Sequence, residues 1–220
     1  MNKSVLRDIS YGVYAIGVKD EKKFTGCIVN TVFQITSEPM IIAISLNKNN
    51  YTYGVVDKTK RFAVSILSEK TESTVIGRLG FYSGKDTDKF GSVKYTVKSD
   101  LPVIDNNICS YLICEVNSMH DMGTHVVIFA NIVDGDKVTD LTPMTYKYYH
   151  EVVKGSAPKN APTYIEEKPK AAENKKAASG VRYICTVCGY IYEGDITKEP
   201  DTYRCPICNQ PKSVFKKLED

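Results

Sequence analysis

Short runs of β-branched, aromatic and other apolar residues, broken by Gly, Asn, Asp and Pro, dominate the first part of the chain. Runs of this length between turn-forming residues are typical of buried β-strands. They lie at residues 14–18, 26–29, 40–45, 62–67, 108–116 and 125–133. Helical patterns are fewer and fall near residues 3–11, 51–58 and 71–82. Many strands with few helices predict a mainly β fold, a closed antiparallel barrel that leaves no free sheet edge.

A polar segment interrupts this pattern at residues 166–180, which contain neither an aromatic nor a β-branched residue. Such a composition cannot bury a core, so we predict a flexible linker there. As a coil, a segment of this length would span about 20–23 Å. The chain therefore divides into a first domain at residues 1–165, the linker, and a small module at residues 181–220 that the linker would allow to move.

Composition and charge narrow the classes of function. The chain has 220 residues and is 42% hydrophobic, which suffices for one full domain and a small one. Its net charge of +3 is spread along the sequence, so no segment has the basic excess that nucleic-acid binding requires. No apolar stretch approaches the length of a membrane span, and the first residues do not resemble a signal peptide. We expect neither nucleic acid nor membrane as a partner.

The chain contains seven cysteines, an odd number that favours a reducing compartment and a cytoplasmic protein. Three of them, Cys27, Cys109 and Cys114, lie in strand-like runs and are expected to be buried. The other four form two C-x-x-C pairs near the end of the chain. These are Cys185, Cys188, Cys205 and Cys208.

Four thiolates make a tetrahedral site that selects iron or zinc, and the spacing alone does not separate the two metals. The residue after each pair must tolerate a positive φ, which suits Gly189 and, as a second choice, Asn209. A module of this size cannot fold on its apolar core alone, so the metal is expected to hold it together.

The sequence around these cysteines resembles the rubredoxin family. The resemblance rests on residues 183–195, which contain a Cys-Gly-Tyr-x-Tyr run, and on residues 204–208. It implies one iron bound by the four thiolates and a one-electron carrier. Two features depart from the family, because the segment between the pairs is shorter than in free-standing rubredoxins and the chain has no Trp. A structural zinc ribbon is the alternative.

Six stretches of the first domain, taken in order, resemble the FMN-binding flavin reductase-like family. They are residues 11–18, 25–39, 44–52, 62–67, 84–90 and 123–129. The resemblance implies a split β-barrel that binds FMN. It also implies a set of cofactor contacts, with an aromatic side chain covering the site. These residues are Asn30, Thr31, Ser45, Asn50, Thr52, Lys89 and His125, and the covering residue is Tyr164.

The chemistry of these side chains suits a flavin. Thr52 stands at the expected start of a helix, where amide donors and the helix dipole favour an anion, and Lys89 could add a positive charge. Each residue also has a plainer explanation: a turn for Asn30, a helix N-cap for Thr52, a solvated charge for Lys89 and a structural role for His125. The pair Gly77-x-x-Gly80 is too weak to indicate a dinucleotide fingerprint, so any pyridine nucleotide would bind in the flavin cleft.

The order of flavin domain, linker and iron module resembles the rubredoxins of high molecular weight. The resemblance implies an electron carrier that passes reducing equivalents from FMN to iron and on to a redox partner. That partner would be a flavodiiron protein reducing O2 or NO, with an NAD(P)H-dependent reductase as a possible donor. The first alternative is a self-sufficient NAD(P)H-dependent flavin/rubredoxin reductase, and the second is an FMN-binding protein with a zinc ribbon. The family pairs two barrels, so we expect a homodimer, with the aromatic cluster at residues 146–149 offering interface surface.

Overall fold

The computed structural model describes residues 3–21, 23–153, 181–208 and 210–218. The predicted linker at residues 166–180, Tyr164 and Asn209 lie outside the described residues, so the domain limits stay a prediction. Within the described ranges, none of the helices combines the length and the apolar character that crossing a bilayer requires.

The described part of the first domain is built mainly from β-strands. In chain order they are β1 (Tyr14–Asp20), β2 (Lys23–Val29), β3 (Val32–Ser37), β4 (Met40–Asn47), β5 (Arg61–Leu67), β6 (Tyr95–Lys98), β7 (Leu101–Ile104), β8 (Ile108–Asp121) and β9 (His125–Lys137). Seven of them form one sheet in the order β2-β1-β5-β8-β9-β4-β3, and β6 pairs with β7 separately. Every neighbouring pair is antiparallel.

The sheet curls into a barrel that is split between β2 and β3. These two strands are the edges of the sheet, yet only Asn30 and Thr31 separate them in sequence. A flat sheet of seven strands would hold its edges about 29 Å apart, whereas a connection this short spans at most about 11 Å. The edges must therefore meet at the end where β2 finishes. Because the described strands form no ladder between β2 and β3, the closed barrel expected from the strand pattern is wrong, and the split barrel that the family resemblance implies is confirmed.

In the described part of the chain, three short α-helices cover the sheet: α1 (Tyr51–Thr59), α2 (Ser73–Phe81) and α3 (Tyr146–Glu151). A 3-10 helix at Lys3–Asp8 takes the place of the helix expected near residues 3–11. Helix α1 begins at an N-cap, since the side chain of Asn50 accepts a hydrogen bond from the backbone N–H of Thr52. Helix α1 joins β4 to β5 and α2 follows β5, as the helical patterns predicted.

Two hydrophobic clusters lie on opposite faces of the central strands. In β1, Ala15 packs into a cluster with α2, α3 and β7, while Ile16 and Val18 pack into the barrel interior with α1. Successive side chains of a strand point to opposite faces, so burial on both faces requires an unbroken apolar run. This explains why the predicted strands were continuous runs rather than alternating patterns.

All six predicted strands are confirmed, and β8 and β9 extend beyond their predicted ends. The prediction that the aromatic cluster at residues 146–149 offers interface surface is corrected. Tyr149 is buried, and Tyr146 and Tyr148 pack against the cluster that contains Ala15. The rings of Tyr146 and Tyr149 are stacked with a centroid distance of 6.3 Å, and the Tyr11 ring lies edge-on to Tyr146 at 6.2 Å. Helix α3 turns these rings inward, so they offer little surface to a second subunit.

The small module contains a three-stranded antiparallel sheet in the order β11-β10-β12. Its strands are β10 (Arg182–Cys185), β11 (Ile191–Glu193) and β12 (Phe215–Lys217). Two single-turn 3-10 helices, Ile196–Lys198 and Lys212–Val214, complete it. The sheet carries the first cysteine at the end of β10 and leaves the second pair in the loop before β12.

Candidate functional site

The structure brings the four predicted metal ligands together in the module. Their Sγ atoms all lie within 4.8 Å of one another, and all four residues are buried. Cys185 Sγ lies 3.6 Å from Cys208 Sγ, and Cys188 Sγ lies 3.5 Å from Cys205 Sγ. Four sulfurs at the corners of a tetrahedron with metal–sulfur bonds of about 2.3 Å would be about 3.8 Å apart. The sulfur cage therefore has the size that a single tetrahedral metal ion requires.

Turn geometry and electrostatics prepare these thiols for a cation. Gly189 has a φ of +74°, as predicted for the residue that follows the first pair. Hydrogen bonds among the four thiols lower the pKa of Cys185 and raise the pKa values of Cys188 and Cys208, so the cluster shares its protons. A metal that binds in this cage would displace those protons.

An aromatic shell surrounds the sulfur cage. The Tyr203 ring lies edge-on to Phe215 at a centroid distance of 6.0 Å and to Tyr192 at 5.6 Å, and Tyr190 lies edge-on to Phe215 at 6.4 Å. Burial raises the pKa of Tyr203, which reflects the low polarity of this shell. Such surroundings limit the access of water to a bound metal and help to set its redox potential.

Asn50 and Thr52 meet Cys27 at the start of α1. Thr52 is fully buried, and its Oγ1 has no hydrogen-bond partner among the described residues. Cys27 is buried as predicted, and burial raises its pKa, although the Lys89 charge and the nearby Thr52 and Asn50 side chains oppose that shift. The N-cap role falls to Asn50, and the Thr52 hydroxyl is closed off from solvent beside the Cys27 thiol.

Lys89 is buried rather than solvated, with 3% of its surface exposed. Its Nζ donates to the backbone oxygens of Gly26, at 2.7 Å, and Leu79, at 2.8 Å. Burial lowers its pKa to about 8, a shift that Cys27 opposes and the charge of Arg78 increases. Lys89 thereby ties β2 to α2, and its ammonium keeps a third proton for another acceptor.

Asn30 and Thr31 occupy the connection across the split in the barrel. Thr31 Oγ1 donates to Asn30 Oδ1 at 3.3 Å, and Ser45 donates its backbone N–H to the Thr31 oxygen at 3.3 Å. Ser45 belongs to β4 and pairs with Val127 of β9. The three predicted contacts thus form one group at the split edge.

His125 begins β9 and pairs with Asn47 at the end of β4. Its Nδ1 lies 2.9 Å from Thr124 Oγ1, while its Nε2 is buried and has no partner among the described residues. The loop at residues 47–50 connects His125 to the start of α1, because Lys48 donates its N–H to the Thr124 oxygen at 3.1 Å. Tyr164 lies outside the described residues, so its predicted place over the site stays a prediction.

The first domain offers unsatisfied polar atoms that fit a polar ligand. The buried atoms Thr52 Oγ1, Thr25 Oγ1 and His125 Nε2 have no partner among the described residues. Buried polar groups are rarely left unpaired, so each one needs a ligand, a water molecule or a second chain. An open groove of about 410 Å³ adjoins the start of α1. Its lining includes Asp20, Lys48, Asn49, Asn50, Tyr51, Tyr53 and Lys58.

The sequence analysis missed the residues that join the module to the first domain. Gly77 of α2 lies against Ile207, and the Tyr82 hydroxyl donates to the Cys208 backbone oxygen at 2.9 Å. From the sequence alone, Gly77 is a candidate only for a nucleotide fingerprint, which is too weak to count. A glycine inside an otherwise regular helix was the available signal, because such a residue usually permits a close approach.

Comparison with known families assigns the two parts of the chain separately. Residues 6–155 match the family model described as flavin reductase like domain. Residues 183–216 match the model described as rubrerythrin, rubredoxin-like domain.

Two curated relatives show the same division. "High molecular weight rubredoxin" from Moorella thermoacetica is 34% identical, over 99% of this chain and 100% of that protein. "Ferric-chelate reductase (NAD(P)H)" from Archaeoglobus fulgidus is 36% identical over 76% of this chain and 100% of its own length. The first relative thus spans both domains, while the second corresponds to the larger one.

Among solved structures, the barrel is similar to flavin reductase PheA2, with a TM-score of 0.56 and 19% identity over 66% of this chain and 93% of that one. It is also similar to the NADH:FAD oxidoreductase SgcE6 from Streptomyces globisporus, with a TM-score of 0.58 and 18% identity over 65% and 85% of the two chains. At this identity the similarity establishes the fold, a split barrel.

Proposed function

Because the chain belongs to the flavin reductase-like family and joins that domain to a rubredoxin-like module, we propose that it carries electrons from FMN to one iron and on to a redox partner. A flavin domain and a rubredoxin-like module in one chain support flavin/rubredoxin electron transfer. When bound, FMN exchanges one or two electrons and the iron exchanges one. The observation that carries the proposal is the buried four-sulfur cage, which packs against helix α2 of the flavin domain.

We assign the FMN phosphate to the start of α1. The unpartnered Thr52 hydroxyl and the amide nitrogen of the Asn50 side chain would supply hydrogen bonds there, near the positive end of the helix, whereas the backbone N–H groups of Thr52 and Tyr53 already donate to Asn50. Lys89, which is anchored to β2, would donate its third N–H to the phosphate and contribute its positive charge. Thr52 and Lys89 are buried, so an anion would meet these two donors with little competition from water.

We assign the flavin ring to the split between β2 and β3. Asn30 and Thr31 would present side-chain and backbone donors to its polar edge, and Ser45 would border the same region. His125, through its unpartnered Nε2, would donate or accept a hydrogen bond according to its protonation. Tyr164 would cover the ring. The relatives named as flavin reductases support this placement through the shared fold.

We propose that the functional unit is a homodimer whose interface includes the β3–β4 hairpin. Phe33 and Ile35 of β3 are 53% and 44% exposed, and Met40 of β4 is exposed beside them. An edge strand with exposed large apolar side chains is a surface that soluble proteins cover. A second subunit at β3 would also close the split side of the barrel, where the flavin ring is assigned.

The proposal extends to the proteins that donate electrons to this chain and accept electrons from it. A flavodiiron protein is the expected acceptor, and an NAD(P)H-dependent reductase is the expected donor. We place the exchange in the cytoplasm, because a thiolate metal site and the unpaired Cys27, Cys109 and Cys114 suit a reducing compartment.

Direct oxidation of NAD(P)H is a second candidate function. The relative from Archaeoglobus fulgidus, which corresponds to the larger domain, is named for NAD(P)H. The nucleotide would then enter the flavin cleft. A zinc-loaded module would instead leave the flavin domain acting without its electron acceptor.

Metal analysis combined with an anaerobic visible spectrum of the full chain tests the proposal. We expect one iron and one FMN per chain, with the red colour of a ferric tetrathiolate that bleaches when the flavin is reduced. Stoichiometric zinc in protein produced with ample iron would refute the electron-transfer role. Rapid bleaching by NADH alone would favour the self-sufficient reductase over the carrier.

A further inference from the structure

The two cysteine turns of the module have different surroundings. Val187 and Ile207 hold equivalent positions, each directly before the second cysteine of its pair. Val187 is 39% exposed, whereas Ile207 is 2% exposed. Ile207 belongs to the hydrophobic cluster of the module, and residues of the first domain also pack against this cluster. The second turn therefore lies on the side of the module that faces the first domain.

Helix α2 of the flavin domain provides that surface at Gly77. A Cβ atom added to Gly77 would lie 1.7 Å from the Ile207 carbonyl oxygen and 2.9 Å from the Cys208 Cα. Both distances are too short for any real side-chain carbon, and the opposing atoms belong to the backbone, which cannot rotate away. Only glycine allows the second turn to approach the helix this closely.

Hydrogen bonds hold the turn in this position. Tyr82 follows directly after α2, and its hydroxyl donates to the Cys208 backbone oxygen at 2.9 Å. The same hydroxyl accepts from Gln210 Nε2 at 2.6 Å, so both of its roles are used across the interface. Arg78 lies over the Tyr82 ring, 5.0 Å from its centroid, and limits the orientations that the ring can adopt.

Apolar contacts extend the interface beyond the turn. Phe81, at the end of α2, and Val153, which follows α3, pack against the hydrophobic cluster of the module. Phe81 and Tyr82 are adjacent in sequence, so the first domain presents an apolar and a polar contact side by side. The interface thus combines close backbone packing, hydrogen bonds and apolar burial, as specific interfaces do.

We propose that the second cysteine turn is a docking element that seats the iron module on α2 at Gly77, and that the module keeps this position in solution. This replaces the freely moving module expected from the linker composition. The functional meaning rests on the proposed electron transfer. The docked turn lies against the helix whose Leu79 oxygen accepts a hydrogen bond from Lys89, while the first turn, with Val187, remains exposed to an external redox protein.

Nitrogen-15 relaxation of the zinc-loaded full chain tests the docking. We expect the module amides to tumble with the same correlation time as the amides of the barrel. Gly77→Ala should release the module, which is about a sixth of the chain, and shorten its correlation time severalfold. Gly80→Ala is the matched control, because its added Cβ would meet only the Ile28 side chain, at an ordinary 3.6 Å. Both substitutions raise the helix propensity of α2 in the same way.

Tyr82→Phe is the second variant and decides the matter if Gly77→Ala does not fold. It removes both interdomain hydrogen bonds without adding bulk, so the module should tumble measurably faster than in the unaltered chain. The proposal fails if the module of the unaltered chain already tumbles independently. It also fails if neither Gly77→Ala nor Tyr82→Phe changes the correlation time, or if Gly80→Ala releases the module equally. The readout needs neither flavin nor iron, so a failure of docking is distinct from a failure of the electron-transfer function.

Discussion

The buried amine of Lys89 should make the stability of the flavin-free domain rise with pH in the alkaline range. Burial lowers its pKa from 10.5 to about 8 in the folded chain, and unfolding restores the ordinary value. Between these pH values the unfolded state holds more protons, so the free energy of unfolding increases as the pH rises. The whole difference corresponds to roughly 3 kcal/mol. Neutral Lys89 still has two N–H groups, which suffice for the Gly26 and Leu79 oxygens.

Flavin affinity should respond in the opposite direction. If Lys89 contacts the phosphate, bound FMN favours the protonated amine, and deprotonation above about pH 8 removes a charge-assisted hydrogen bond. Such a bond contributes roughly 1.5–3 kcal/mol, so the dissociation constant should increase about 10- to 100-fold once the amine is neutral. Apo stability and FMN affinity would then diverge across the same pH range.

Two titrations of the full chain measure these effects. Urea unfolding of the flavin-free protein at intervals from about pH 7 to 10 gives the stability, and quenching of FMN fluorescence gives the affinity. Lys89→Met is the control, because it keeps most of the length of the side chain and removes the titrating group. It should abolish the Lys89 part of both pH responses while costing roughly 1–3 kcal/mol for each carbonyl left without a donor. An unchanged pH response in Lys89→Met would refute the reasoning.

Three further predictions concern the metal, the phosphate site and the dimer. Cys205→Ser, or removal of the metal with a chelator, should abolish the red absorbance and unfold the module while the barrel keeps its circular dichroism, since the sulfur cage is the centre of the module core. Thr52→Ala should weaken FMN binding about tenfold by equilibrium titration while the apo protein loses little stability, because the hydroxyl has no described partner to lose; a large loss of apo stability with unchanged affinity would contradict the assignment. Ile35→Glu should convert the protein to a monomer in light scattering and leave its secondary structure intact, whereas an unchanged dimer mass would exclude the β3 interface.

The sequence was enough to predict those features of the structure that depend on contacts between residues close together in the chain. The cysteine spacing and the positive φ of Gly189 follow from turns of a few residues, and the strands buried on both faces are visible as unbroken apolar runs. The strand β3 was missed because its exposed Phe33 and Ile35 alternate with polar residues without forming such a run. Burial of Tyr149 depended on how α3 packs, which no local pattern encodes.

The docking of the module was beyond the reach of the sequence for a similar reason. Gly77 and Ile207 are far apart along the chain, and each has an ordinary local explanation. The composition of the linker indicates freedom of movement, yet the contact that restrains the module lies elsewhere. The proposed flavin contacts could be predicted only in part. Resemblance supplied their identities, while the burial of Lys89 and the unpartnered atoms of Thr52 and His125 came only from the fold.

The strand order has a consequence for biosynthesis. The hairpin of β8 and β9 inserts between β5 and β4, although both of those strands are complete by Leu67. A nascent chain would therefore expose two open, apolar strand edges until Lys137 has been made, an interval of about 4–14 s at ribosomal rates of roughly 5–20 residues per second. Edges of this kind are prone to aggregate. Substitutions in β8 and β9 should accordingly reduce the yield of protein in cells more than they reduce the stability of the molecules that succeed in folding.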